Sequence, residues 1–243
     1  MHNYFNINFE FDRKEIKNHV QDAVKNGVVG YICSIDGNNL VSANENPAHL
    51  EVINNSMLNV CDSSWIPLFL NLIYKTNYEN YTGPDLFLEY VKLKQYRQFF
   101  LGTNCEILEK LKKQLVEIDP AISEMKFESL PFQNVENFDY PQIAQQINDD
   151  NPDIIWVSLG APKQEQFMNR LKPFLKRGVM FGIGAAFKFY SGIDEYKRAP
   201  HWMIRIRLEW LFRTIQEPKR MIKRYWHIAV SWPKLLWEES RKK

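Results

Sequence analysis

Residues 153–192, DIIWVSLGAPKQEQFMNRLKPFLKRGVMFGIGAAFKFYSG, hold two short apolar runs, each closed by a glycine-bearing turn that opens a helix. A chain built this way is restricted to α/β folds with parallel strands. The run 154–159 is apolar except for Ser158, as expected of a strand covered on both faces, and Gly160 ends it. Pro162 then suits the first turn of the next helix, where a missing N–H costs no hydrogen bond. Open parallel sheets bind ligands at the carboxyl ends of their strands, which makes Lys163, Gln164 and Glu165 site candidates. The second turn, Gly182, Gly184, Ala185 and Ala186, follows the run 179–183 and lets backbone N–H groups approach an anion closely. Neither turn matches the dinucleotide fingerprint or the P-loop, so these residues alone point to a nucleotide or phosphate site of unspecified kind.

Elsewhere strand-like and helix-like segments alternate. Strands are predicted over 28–34, 57–61, 98–101, 125–128, 154–159 and 179–183, and helices over 13–25, 65–74, 85–94, 106–116, 141–149 and 164–172. This order predicts a doubly wound, mostly parallel, Rossmann-like α/β sheet. With 243 residues, 45% of them hydrophobic, the chain can bury a sizeable core. It has no apolar run of 18 residues, and its first residues, MHNYFNINFEFDRK, lack the basic and apolar regions of a signal peptide, so a cytoplasmic location is expected. Cys33, Cys61 and Cys105 are too scattered for a disulfide framework or a zinc site and are read as reduced thiols. Cys105 follows a strand end, where a catalytic thiol is conceivable, but a plain buried or loop cysteine is the simpler reading.

Charge divides the chain more sharply than its net +2 suggests. Residues 196–243 carry thirteen Lys or Arg against four Asp or Glu, a net +9, while residues 1–195 carry −7. The same tail holds five of the seven tryptophans, Trp202, Trp210, Trp226, Trp232 and Trp237, interleaved with arginines. Two units follow: an α/β body over 1–195 and a basic helical appendage over 196–243, with helices over 201–216 and from 218 onward. Amphipathic Trp- and Arg-rich helices suit the headgroup layer of an anionic membrane, so the protein is expected to sit peripherally on the inner face of the plasma membrane. A nucleic-acid partner is disfavoured, because the acidic body offers no matching basic groove.

The chain resembles the WecG/TagA/CpsF glycosyltransferases (glycosyltransferase family 26), which build bacterial cell-surface polysaccharides. The resemblance is carried by Gly160-Ala-Pro162-Lys163-Gln164-Glu165, Gly182-Ile-Gly184-Ala185-Ala186-Phe187, Gly192, Arg198-Ala199-Pro200 with Trp202, Glu209-Trp210-Leu211 with Arg213, and Glu217-Pro218, Arg220 and Arg224-Tyr225. Nearer the amino terminus, Ser34-Ile35-Asp36 stands where the family has Thr-x-Asn, and Asp62 stands at the strand end that carries the family's catalytic aspartate. Gly83, Asp85 and Leu86, and then Leu101-Gly102, continue the pattern. Ser63 replaces the usual glycine after that aspartate, and Lys188 stands where many relatives have aspartate.

The resemblance implies an inverting, metal-independent transfer from a UDP-sugar, such as UDP-N-acetylmannosamine, its uronic acid or a related hexose, to a saccharide on a polyprenyl diphosphate. No cofactor is implied, and a homo-oligomer is as compatible as a monomer. Asp62 would be the general base; an aspartate there would also suit a cap on the helix starting near Trp65. Gly160, Gly182, Gly184 and the following helix start would line the nucleotide, with Arg198, Arg213, Arg220 and Arg224 either closing over a diphosphate or forming a lipid-facing surface. Lys163, Gln164 and Glu165 would contact or orient sugar or uracil, the glutamate serving equally as a first-turn helix acid. Ser34 and Asp36 would line the sugar pocket, and their departure from Thr and Asn implies altered sugar specificity. The rival reading is a membrane-docked, non-catalytic UDP-sugar-binding paralogue.

Overall fold

The computed structural model describes every residue except Asp194 and Tyr196, so the first residue of the expected appendage, and the flank of its boundary, lie outside the described residues. All six expected strands are present, as β3 (Gly30–Ile35), β4 (Leu58–Cys61), β5 (Gln98–Gly102), β6 (Lys126–Glu128), β7 (Ile154–Ser158) and β8 (Val179–Gly182). Their order in the sheet is β4-β3-β8-β7-β5-β6, with every neighbouring pair parallel. The α/β architecture read from the sequence is therefore the architecture of the molecule.

Helices cover both faces. Strand side chains alternate, so Tyr31, Cys33 and Ile35 enter one apolar cluster while Ile32 enters the other. The second cluster packs under α1 (Arg13–Lys25), α5 (Gly83–Leu93), α6 (Cys105–Ile118) and α9 (Ala186–Tyr190). The first packs under α2 (Gly37–Glu45), α3 (Pro47–Asn54), α4 (Trp65–Tyr74), α7 (Tyr140–Asp150) and α8 (Lys163–Leu171).

Three features of the molecule are absent from the pattern expected of its sequence. An antiparallel hairpin of β1 (His2–Tyr4) and β2 (Ile7–Phe9) opens the chain, turning on Phe5 and Asn6 with φ of 51° and 63°. Positive φ at both central positions is the primed turn that matches strand twist, here built without glycine. Helices α2 and α3 occupy an Asn-rich stretch that reads as loop; the Asp36 and Asn46 side chains cap their first turns. The expected tail helix over 201–216 is broken into α10 (His201–Arg205) and α11 (Glu209–Gln216). Arg207 takes the left-handed conformation (φ 59°) and the Leu208 N–H reaches back to the Met203 carbonyl, a Schellman ending formed by arginine instead of glycine.

The long helix α12 (Pro218–Ser240) lies across α2 and is stitched to the body along its length. Arg224 pairs with Asp36, and Glu45 takes His227 at 2.9 Å and the Ser231 hydroxyl at 3.0 Å. Near its end the buried Glu239 accepts from the Phe5 N–H at 2.7 Å and the Tyr74 hydroxyl at 2.8 Å. Trp232 and Leu235 insert into the first core cluster. No helix among the described residues is long and apolar enough to cross a membrane.

Candidate active site

The carboxyl ends of β3, β4, β5, β7 and β8 open into a cleft of about 940 Å³, roofed by α10, α11 and α12. It brings together Ser34 from the end of β3 and Asp36 just after it, Asp62 after β4, and Gly160, Lys163, Gln164 and Gly184 from the two glycine turns and the start of α8. Arg198, Arg213, Arg220 and Arg224 line it from the tail. Glu165 and Gly182 do not line it: both lie beneath Gln164, and Glu165 is fully buried.

Asp62 follows β4, its N–H donating to the Ile35 carbonyl at 2.9 Å, and its carboxyl is partly buried in the cleft. Burial, reinforced by the carboxylates of Asp36 and Glu209, pushes its pKa up to about 8; the Gly83 N–H and the Arg198 guanidinium pull the other way. It does not cap α4. The N-cap is Ser64, whose side chain makes no capping bond, and the Trp65 N–H goes to the hydroxyl of Ser63, the serine that stands where glycine is expected, at 3.2 Å.

The charges around Asp62 are largely paired. Asp36 accepts from the Asn39 N–H at 2.8 Å with one oxygen and holds Arg224 with the other, and that carboxylate drives the Arg224 pKa upward. Arg198 forks onto Asp85, at 2.5 and 3.2 Å, touches the Thr82 hydroxyl at 3.1 Å, and stands 3.6 Å from Glu209. Burial alone would raise the Asp85 pKa, but Arg198 and Thr82 outweigh it and hold the carboxyl below its usual range. In this arrangement Arg198, while lining the cleft, ties the tail to the start of α5. Arg213 stacks over Phe189 at 5.6 Å, and Arg220 pairs with Glu217 at 3.0 Å on the exposed side of the cleft.

The glycine turns also differ from expectation. Gly160 and Gly184 have φ of 77° and 58°, which glycine adopts readily. Yet the Gly184 N–H donates to Gln164 Oε1 at 3.0 Å and its carbonyl accepts from the Ser158 hydroxyl at 2.7 Å, while Gly182 sits inside β8. Neither glycine therefore directs an N–H at an anion. Positive charge comes instead from side chains: Lys163, which rides over Phe132 and Phe138 at 5.3 and 5.2 Å, and Arg205 and Arg207, which have no carboxylate partner among the described residues. Arg205, Arg207 and Glu209 were missed as site residues because the left-handed turn at Arg207 brings all three to the cleft, whereas a continuous helix over 201–216 would have set Arg207 on the face opposite Arg205 and Glu209. Among the described residues no cluster of three His, Cys, Asp or Glu side chains is placed to hold a metal ion.

Glu209→Gln is expected to lower the pH at which Asp62 ionises, because it removes a repelling carboxylate and frees Arg198 to act on Asp62. The acidic limb of a pH–rate profile, set near pH 8 in the parent protein, would move to lower pH; a limb that stays in place would detach it from Asp62.

A family model described as glycosyl transferase WecG/TagA/CpsF family matches residues 2–243. The chain is 29% identical over 202 residues to an N-acetylglucosaminyldiphosphoundecaprenol N-acetyl-beta-D-mannosaminyltransferase of Bacillus subtilis (strain 168), covering 80% of this chain and 74% of that protein. A protein of the same name from Bacillus spizizenii (strain ATCC 23059 / NRRL B-14472 / W23) is 29% identical over 199 residues, covering 79% and 71%. Another from Staphylococcus aureus (strain MW2) is 25% identical over 182 residues, covering 74% and 69%. With its sheet, its strand-end aspartate and its two glycine turns all in the order of the family pattern, the chain belongs to the WecG/TagA/CpsF family of glycosyl transferases.

Proposed function

We propose that this protein transfers a hexose of the N-acetylmannosamine type from its UDP derivative to a hydroxyl of N-acetylglucosamine carried on a polyprenyl diphosphate, with inversion and without a metal ion. The observation that carries the reading is the Asp62 carboxyl, raised in pKa and set in one cleft with the basic side chains of the tail helices. In the step proposed, Asp62 takes the proton from the acceptor hydroxyl as its oxygen bonds to the anomeric carbon. The bond from that carbon to the diphosphate oxygen breaks on the opposite face, and UDP leaves with the electron pair. Lys163, Arg205, Arg207, Arg213 and Arg220 supply the positive potential that the departing diphosphate needs. The names of the relatives support the acceptor and the sugar.

The test is a mass-spectrometric transfer assay offering short-chain polyprenyl-diphosphate N-acetylglucosamine and a panel of UDP-hexoses, UDP-N-acetylhexosamines and UDP-uronic acids. One donor should add a single sugar mass, and Asp62→Asn should abolish the addition. No transfer from any donor would sink the reading; undiminished transfer by the variant would remove Asp62 from the chemistry.

The tail also supports peripheral attachment to the inner leaflet. Trp202, Trp226 and Trp237 are 62%, 72% and 60% exposed, on α10 and α12, and Ile206 just after α10 and Ile222 and Val230 on α12 are exposed with them among lysines and arginines. Vesicles containing anionic lipid should bind the protein at low salt and release much of it at high salt, and Trp226→Ala should weaken binding about tenfold, the scale of one lost apolar anchor. Equal binding to neutral vesicles would contradict the electrostatic part.

A further inference from the structure

Gln164 lines the cleft yet is only 2% exposed, because both ends of its amide are engaged by the protein. Oε1 accepts from the Gly184 N–H, and Nε2 donates to Glu165 Oε1 at 2.9 Å. The same carboxylate oxygen accepts from Asn39 Nδ2 at 3.1 Å, and Asn39 Oδ1 meets His49 Nε2 at 2.7 Å. Glu165, Asn39 and His49 are all buried, none reaches the cleft, and they come from α8, α2 and α3. Four polar side chains thus form one continuous line from His49 to the Gly184 turn.

The line has a fixed polarity. A proton on His49 Nε2 turns Asn39 so that its amide nitrogen faces Glu165, and a carboxylate there accepts from Gln164 Nε2, which leaves Oε1 to face Gly184. Flipping Gln164 would set its carbonyl against the Glu165 oxygen and leave the Gly184 N–H without its acceptor. Gly182 completes the seat, since a Cβ there would lie 3.0 Å from Gln164 Nε2 and 2.8 Å from Met168 Cε. As a purely stabilising device the line is poor. Glu165 Oε2 and His49 Nδ1 are buried without a hydrogen-bond partner, and apolar packing of similar volume would avoid that cost.

We propose that Asn39, Glu165 and His49 are positioning residues for transfer, holding the Gln164 amide in one orientation and, through it, the Gly184 turn in the shape that receives the UDP moiety of the donor. The inference rests on the donor reading given above. It makes the residues dispensable wherever Gln164 is absent, which a structural role would not.

The test is a double-mutant cycle on UDP binding, measured by calorimetry with melting curves run alongside. Asn39→Leu should weaken UDP binding about tenfold in the parent protein but less than twofold in the Gln164→Ala background, with donor KM rising in step and acceptor KM unmoved. Asn39→Asp, which keeps the shape but faces Glu165 with an acceptor, should give the same pattern and serves if Asn39→Leu does not fold. Unchanged UDP affinity in a variant that merely melts lower would overturn the proposal, as would an equal loss in both backgrounds. A folded parent protein that binds no UDP at all would instead overturn the donor reading beneath it.

Discussion

Asp62→Asn should reduce kcat by about 10²- to 10⁴-fold, the range a positioned general base supplies, while leaving UDP binding close to that of the parent protein. The same change should make the protein more stable in alkali. The Asp62 pKa is raised in the folded state to about 8, so the folded state holds its proton more tightly than the unfolded chain does. Stability from this group is therefore fully present below the unfolded value near 4 and is lost as pH rises through about 8. An amide cannot ionise and escapes that loss. Melting curves near pH 4 should nearly coincide for the two proteins, and at pH 9 the variant should be ahead by on the order of 2 kcal/mol after discounting for solvent at the cleft. A variant that is inactive and less stable at both pH values would mean that Asp62 serves the fold, not the reaction.

Trp232→Ala should be the most damaging change in the tail. The indole is buried against Phe5 and Phe69, with ring centroids 6.4 and 5.1 Å away, and its loss leaves a cavity between α12 and the body. Truncations of this kind cost about 3 kcal/mol or more, which for a chain of this size lowers Tm by roughly 10 °C. Activity should fall with it, since α12 also carries Arg220, Arg224 and Tyr225 into the cleft. We expect one calorimetric transition, shifted as a whole, because Trp232, Leu235 and Glu239 are continuous with the core of the body. A separate early transition would instead mark residues 196–243 as a unit that melts on its own.

Local chemistry wrote most of the sheet into the sequence. Largely apolar runs ending near glycine or aspartate located five of the six strands, all but β6 with its Lys126 and Glu128, and the strand ends in turn located Asp62, Gln164 and the glycine turns. What stayed hidden depends on partners far away in the chain. Arg198 and Arg224 look like free phosphate ligands until the fold brings up Asp85 and Asp36, 113 and 188 residues distant. Glu165 looks like a helix-dipole acid until Asn39, 126 residues away, is packed against it. The hairpin was missed because its turn uses Phe5 and Asn6 where glycine is the usual signal, and its strain is offset by Trp232 and Glu239.

The bond between Glu239 and the Phe5 amide spans 234 residues, the widest separation among the side-chain hydrogen bonds of the body and tail except for that of Lys242 with Asn6. Contacts so remote in sequence form late, because the loop they close must first be ordered by everything between them. Seating of α12 is therefore expected to close folding, with the arginines it brings to the cleft arriving last. Loss of Trp232 should accordingly appear as faster unfolding with nearly unchanged refolding. A chain stalled before that step would already have its sheet and its aspartate, but no closed cleft in which to work.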